Sequence, residues 1–254
     1  MKTEILYEDN SILVIRKPAG LAVQSAGIGQ PDVVSELKSY LAKLPGAGRL
    51  GKGEPYLGIV HRLDQPVEGL LVFAKDKKAA AALSKQLTEG ALNKHYYAVL
   101  CGYPDCPEGD LVDYLRKEGN VAVAVTGREQ EFADAKIAAL HYRILEEIND
   151  PSPLALADVT IGTGRFHQIR VQFAHAGFPL FGDTKYGMAA LKEAMPAQKY
   201  RGVALCAYSL ELVHPISGKK MGFWVVPKNP AFAGFAMEEL KKLTENETGI
   251  SKRG

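Results

Sequence analysis

Residues 61–75 read HRLDQPVEGLLVFAK, an Arg–x–Asp pair directly ahead of an uncharged apolar run, Leu70 to Ala74. The run has the composition of a buried strand, so Asp64 stands at the edge of a dry region. A carboxylate there is costly unless a partner stabilises its charge. A nearby guanidinium would hold it ionised. An ionised carboxylate in a partly dry pocket suits a nucleophile or a general base. The plainer reading is a turn or capping Asp in a surface pair, worth little. Residue types alone leave both readings open.

A second group is TGRFHQIR, residues 163–170. Thr163 and Gly164 make a turn, and Arg165, His167 and Arg170 follow at the start of a helical segment. Backbone N–H groups and the positive end of a helix dipole suit a phosphate or carboxylate. Arg is a better choice than Lys for a planar, bidentate contact. A solvated basic helix start is the equal alternative. Tyr96 and Tyr97 are neighbours on a strand and face opposite sides, one toward the core and one toward a pocket or solvent.

Other chemistries fit less well. His61, Asp64, His167 and His175 raise the question of a metal. His167 and His175 are eight apart, roughly 12 Å along one helix, too far to share an ion. No HxH, HExxH or CxxC accompanies them, so no metal site is expected. The glycines of GAGRLGKGEP match neither a Walker A loop nor GxGxxG in context. Lys77-Lys78 and Lys219-Lys220 read as solvated faces.

The elements that must position these residues follow from periodicity and turn signals. Ile5–Tyr7 and Ile12–Ile15 form an opening hairpin around the polar turn EDNS. Residues 32–44 have helical spacing, with Asp32 as N-cap, and 45–55 is an exposed loop. Gly69–Lys75 is a strand. Asp76 caps a helix with Ala79, Ala80, Leu83 and Leu87 on one face and Gly90 as its stop. Lys94–Cys101 returns as a strand. Residues 102–135 are polar and less regular. His141–Leu145 and Leu154–Ile161 are strands, 167–176 a short helix ended by Gly177, and Val203–His214 with Met221–Val226 a closing hairpin. About ten strand candidates with interspersed helices indicate an α+β fold with a mixed, mostly antiparallel sheet.

The chain has 254 residues, 46% hydrophobic and 24% charged, which supports a real core and an ordinary globular class. The net charge of +2 permits a nucleic-acid partner without arguing for one. Three cysteines with no CxxC pair fit a reducing cytosol. No apolar run approaches the ~20 residues of a membrane span. A cytoplasmic, monomeric protein is expected, with one domain over 1–243 and a charged tail over 244–254.

Taken together, five blocks resemble the RluA family of pseudouridine synthases. They are YEDNSILVIRKPAGLAVQ (7–24), HRLDQPVEGLLVFAK (61–75), KHYYAVLCG (94–102), TGRFHQIRVQFAHAGFPLFGDTKYG (163–187) and ALCAYSLELVHPISG (204–218), in the family's order. The resemblance implies that Asp64 is the catalytic aspartate, Arg165 its salt-bridge partner and Tyr96 a platform or hydrogen-bond partner for the target uracil. Arg62 would help displace or hold the flipped nucleotide. The family fold is a mixed, mostly antiparallel central sheet flanked by helices and loops, with a cleft across its middle. No cofactor or metal is implied.

The partner would be RNA, ribosomal or transfer, held by basic residues near the cleft: Arg49, Lys52, Arg62, Arg165 and Arg170, with His61 and His167 beside them. The reaction breaks the N1–C1′ bond of a flipped-out uridine and joins C5 to C1′. Asp64 would attack C1′ or remove the 2′ proton, and sequence does not choose between these. Three departures stand out. Val67-Glu68 replaces the usual Thr-Ser, adding a carboxylate that could alter how a phosphate backbone approaches. Phe166 stands where Thr is frequent, and Leu205-Cys206-Ala207 where Leu-His-Ala is frequent. The opening hairpin at residue 5 leaves no room for a preceding S4 RNA-binding module. The alternatives are an inactive RNA-binding or assembly protein of the same fold, and an N-glycosidase that would release free uracil.

Overall fold

A computed structural model describes residues 1–25, 27, 29–44, 54–126, 134–149, 152–187, 202–237 and 240. The expected loop at 45–55, with Arg49 and Lys52, lies almost wholly outside the described residues, as does the tail from 244. The described residues fall into two compact units. One comprises Met1–Asn93 with Ala207–Pro227; the other comprises Lys94–Cys206 with the described residues from Lys228 onward.

In the first unit, β1 (Glu4–Glu8) and β2 (Ile12–Lys17) form the opening hairpin, and β2 pairs antiparallel with β4 (Glu68–Ala74). The short β3 (Gly58–Ile59) also pairs with β4. All six residues of β2 and all seven of β4 are buried. Such continuous apolar runs mark strands covered on both faces. β10 (Leu205–Val213), which opens at the end of the second unit and runs through the first, lies beside β4 and pairs antiparallel with β11 (Lys220–Trp224).

Two helices close the unit. α1 (Val33–Leu41) buries Val33, Val34, Leu37 and Leu41, and the Asp32 side chain accepts from the Ser35 N–H. α2 (Lys77–Thr88) buries Ala79 and Leu83 and is capped the same way by Asp76 on Ala79 N–H. Each cap satisfies one of the donors a helix start leaves open, worth about 1 kcal/mol.

The second unit has strand order β5-β9-β8-β6-β7. β5 is Asn93–Cys101, β6 Glu108–Glu118, β7 Val121–Ala124, β8 Lys136–Asn149 and β9 Pro153–Ile161, and each neighbouring pair is antiparallel. The stretch read as irregular is therefore a long hairpin, β6–β7. Its side chains alternate between exposed and half-buried positions. A strand with so little to bury carries a weak apolar signal in sequence. α3 (Gln168–His175) packs near it, and Gly177 takes φ +91 just beyond. Val171 of α3 joins Leu115, Ala122 and Ala138 in one apolar cluster, with Tyr186 against it.

Candidate active site

Asp64 is half-buried in the segment between β3 and β4. Its carbonyl accepts from Val67 N–H at 3.1 Å, closing a turn that leads into β4. That turn is tied to the one after β2. Gly20 N–H donates to Gln65 O at 2.8 Å, and Gln65 Nε2 returns to Gly20 O at 3.1 Å. Lys17 completes the tie. Its Nζ donates to Leu21 O at 2.7 Å, Pro18 O at 3.0 Å and Gln65 O at 3.0 Å, with the side chain wholly buried. Three carbonyls match the three donors of an ammonium. Burial pulls this ammonium down to about 7, against the opposing pull of Asp64 and Glu68.

A cavity of about 630 Å³ opens beside the two turns, lined by Pro18, Gly20, Leu21, Gln30 and Gln65 among others. Arg62 is exposed. His61 is half-buried, and its Nε2 accepts from Val72 N–H at 3.3 Å, so it braces β4.

Glu68 corrects an expectation. It is 3% exposed, and Arg16 Nη2 meets its carboxylate at 3.3 Å while also donating to Val226 O at 2.6 Å. The extra carboxylate points into the protein, so it does not confront a phosphate backbone.

In the second unit, Arg165 sits in the turn between β9 and α3. The turn is clamped by Gln168, which is buried. Its Oε1 accepts from Thr163 Oγ1 at 2.8 Å and from Arg165 N–H at 3.0 Å, and its Nε2 donates to Ala139 O at 3.0 Å. Arg165 Nε donates to Ile137 O at 2.9 Å, which fixes the root of the guanidinium against β8. His167, the N-cap of α3, takes φ 54, the one positive φ outside glycine among the described residues. Its Nδ1 lies 2.7 Å from the Tyr186 hydroxyl, which accepts from Ala122 N–H at 2.7 Å.

Arg170 departs from the role expected of it. Its Nε and Nη2 grip Asp183 at 2.7 and 2.8 Å, both side chains being almost wholly buried. A guanidinium engaged fork-to-fork inside the protein is a structural pair, not a surface phosphate contact. Its place on the first turn of α3 turns it toward the core. Tyr96 and Tyr97 also differ from expectation: both are buried, at 5% and 1% exposure, because β5 is covered on both faces from Tyr96 onward. Among the described residues no group of three His, Cys, Asp or Glu is placed to hold a metal ion. Lys17, Gln168 and Asp183 are the positioning residues that spacing alone missed. Only Gln168, three residues after Arg165, carried a local signal, that of a side chain reaching back to a turn amide.

The family described as RNA pseudouridylate synthase matches residues 11–175. The chain belongs to this family. This synthase is 36% identical over 230 residues to the ribosomal large subunit pseudouridine synthase D of Zymomonas mobilis subsp. mobilis, covering 87% of this chain and 68% of that protein. The enzyme of the same name from Pseudomonas aeruginosa is 35% identical, over 87% of this chain and 67% of that one. An uncharacterized RNA pseudouridine synthase of Synechocystis sp. is 38% identical, over 85% of this chain and 63% of that one. The synthase thus spans 63–68% of the length of these relatives. The structure of human RNA pseudouridylate synthase domain containing 1 superposes with a TM-score of 0.71 at 19% identity, covering 95% of this chain and 94% of that one. Human RNA pseudouridylate synthase domain containing 4 gives 0.68 at 24%, covering 94% and 93%. These two show the shared α+β fold. The synthase belongs among RNA-modifying isomerases, and nothing in the comparisons favours an inactive binder of the same fold.

Proposed function

We propose that this synthase converts uridine to pseudouridine in ribosomal RNA, with Asp64 acting at the ribose of a flipped-out nucleotide. The observation that carries the assignment is the tethered turn. Lys17 and Gly20 hold the backbone at Gln65, which lines the cavity, and Asp64 next to it stays only half-buried. A merely structural Asp needs no such bracing at an open edge. The relatives from Zymomonas mobilis and Pseudomonas aeruginosa, synthases of the ribosomal large subunit, support that RNA class.

The chemistry fits the side chains. Breaking N1–C1′ leaves positive character on the sugar and negative charge on the uracil. Asp64 either attacks C1′ or takes the 2′ proton. The base turns, C5 bonds to C1′ as the Asp64–C1′ bond breaks or the 2′ proton returns, and C5 gives up its proton as N1 regains one. The product is an isomer, so the net reaction needs no redox carrier. In this reading Arg165, presented by the Gln168 clamp, supplies a fixed cation for the reaction. Arg62 holds the displaced nucleotide. We place the synthase in the cytoplasm as a monomer.

Pseudouridines are mapped in ribosomal RNA from cells with and without the gene. The expected result is at least one site lost in its absence. Purified Asp64→Asn is expected to bind RNA with normal affinity while turnover drops at least ~10³-fold, as when a reacting group is removed. Normal turnover by this variant would remove Asp64 from the chemistry. Free uracil in place of rearranged nucleoside would make the protein an N-glycosidase.

A further inference from the structure

The Phe166 side chain is an unusual thing to expose beside Arg165. It is 39% accessible, one of few large apolar residues left open to solvent. Its ring stacks on His167, with centroids 3.8 Å apart and planes 21° from parallel. His167 in turn meets Tyr186 edge-on at 5.5 Å and bonds to its hydroxyl. Tyr186 is held from below: the Arg170 guanidinium lies 5.1 Å from its ring centroid, and Asp183 Oδ1 accepts from its N–H at 3.2 Å. A column therefore runs from the buried Arg170–Asp183 pair, through two rings, to a third ring at the surface. On that outer ring rests the ammonium of the exposed Lys117, 4.8 Å from its centroid.

Two features say that the column has a use. First, His167 holds a left-handed backbone, which costs a non-glycine residue of order 1 kcal/mol or more and persists where surroundings impose it. Second, burial of a Phe ring is favourable, so leaving this one on a rigid support at the surface forgoes stability. A flat π-face backed by stacked rings is what an unstacked nucleobase takes. Extruding a uridine from its stack strips the base beside it of a neighbour. We propose that Phe166 is the stacking platform for that flanking base, with the Lys117 ammonium moving from the ring to the adjoining phosphate. The platform rests on the reading of this chain as an RNA isomerase, and it would set which sequences or loop shapes around the target uridine are accepted.

The test uses the full chain and an RNA hairpin with a uridine-containing loop, in wild type and in Phe166→Ala, Phe166→Leu and Phe166→Trp. Affinity is expected to fall roughly tenfold or more in the Ala and Leu variants, the range of one lost base–aromatic stack. With the natural RNA the loss should sit in KM rather than kcat. Phe166→Trp should hold the affinity, and its new indole fluorescence should be quenched on RNA addition. Unchanged melting temperatures exclude a folding effect. Equal Kd and KM in wild type and Phe166→Ala would overturn the platform while pseudouridine formation by the wild type kept the parent reading intact. A fall in kcat alone would also overturn it, since that marks a displaced Arg165. Quenching in Phe166→Trp by RNA, without any pseudouridine made by the wild type, would uphold the platform and sink the isomerase assignment.

Discussion

Lys17 is a cation placed where water does not reach. Burial lowers its pKa to about 7, against about 10.5 in an unfolded chain. Between those values the unfolded state binds more protons, so stability should rise with pH across that window. Chemical denaturation of wild type and Lys17→Met from pH 6 to 10 checks this. The stability gap between them should widen as pH rises above 7, and a gap independent of pH would show that Lys17 does not titrate there. The sequence singles out Asp64 because its motif is contiguous. It showed Lys17 only as a strand end, because its three acceptors come from residues one, four and 48 positions away, a relation no local pattern encodes. Arg170 misled for the same reason. Its carboxylate partner lies 13 residues on, across a turn, and a basic residue at a helix start looks the same whether it faces solvent or Asp183.

At the scale of elements, two joints carry the candidate site. Gly69 sits at φ +130 in β4, and a Cβ there would run into the backbone of Ala207. Gly69→Ala should therefore cost about 3 kcal/mol or more, read as a lowered denaturation midpoint, because neither backbone has room to yield. The Arg170–Asp183 pair pins the segment after α3 to the helix. Asp183→Asn leaves the guanidinium buried without its counter-charge and should cost about 3–5 kcal/mol. A midpoint within error of wild type would mean that the pair is not needed. The elements themselves were largely legible. Asp32 and Asp76 announce α1 and α2, Gly90 and Gly177 follow the ends of α2 and α3, and alternating or continuous apolar runs mark the strands. The β6–β7 hairpin was not, since its residues from Glu108 to Glu118 are mostly polar and bury little.

Across the whole molecule, a net charge of +2 hides how the charges are arranged. Arg16 with Glu68 and Arg170 with Asp183 cancel in the interior, so RNA must be met by surface groups such as Arg62. Affinity should fall steeply with salt, and Arg62→Ala should lower the slope of log K against log salt by about 0.7, the contribution of one single-strand phosphate. Binding titrations from 50 to 300 mM salt measure it, and an unaltered slope would remove Arg62 from the phosphate contacts. The interior pairing of Arg16 with Glu68 has a consequence for how this chain can change. Restoring a serine at 68 takes the facing carboxylate from a buried guanidinium, and replacing Arg16 alone takes that guanidinium from a buried carboxylate, either at about 3–5 kcal/mol. The two positions can be exchanged safely only together, so descendants of this sequence should keep both or lose both.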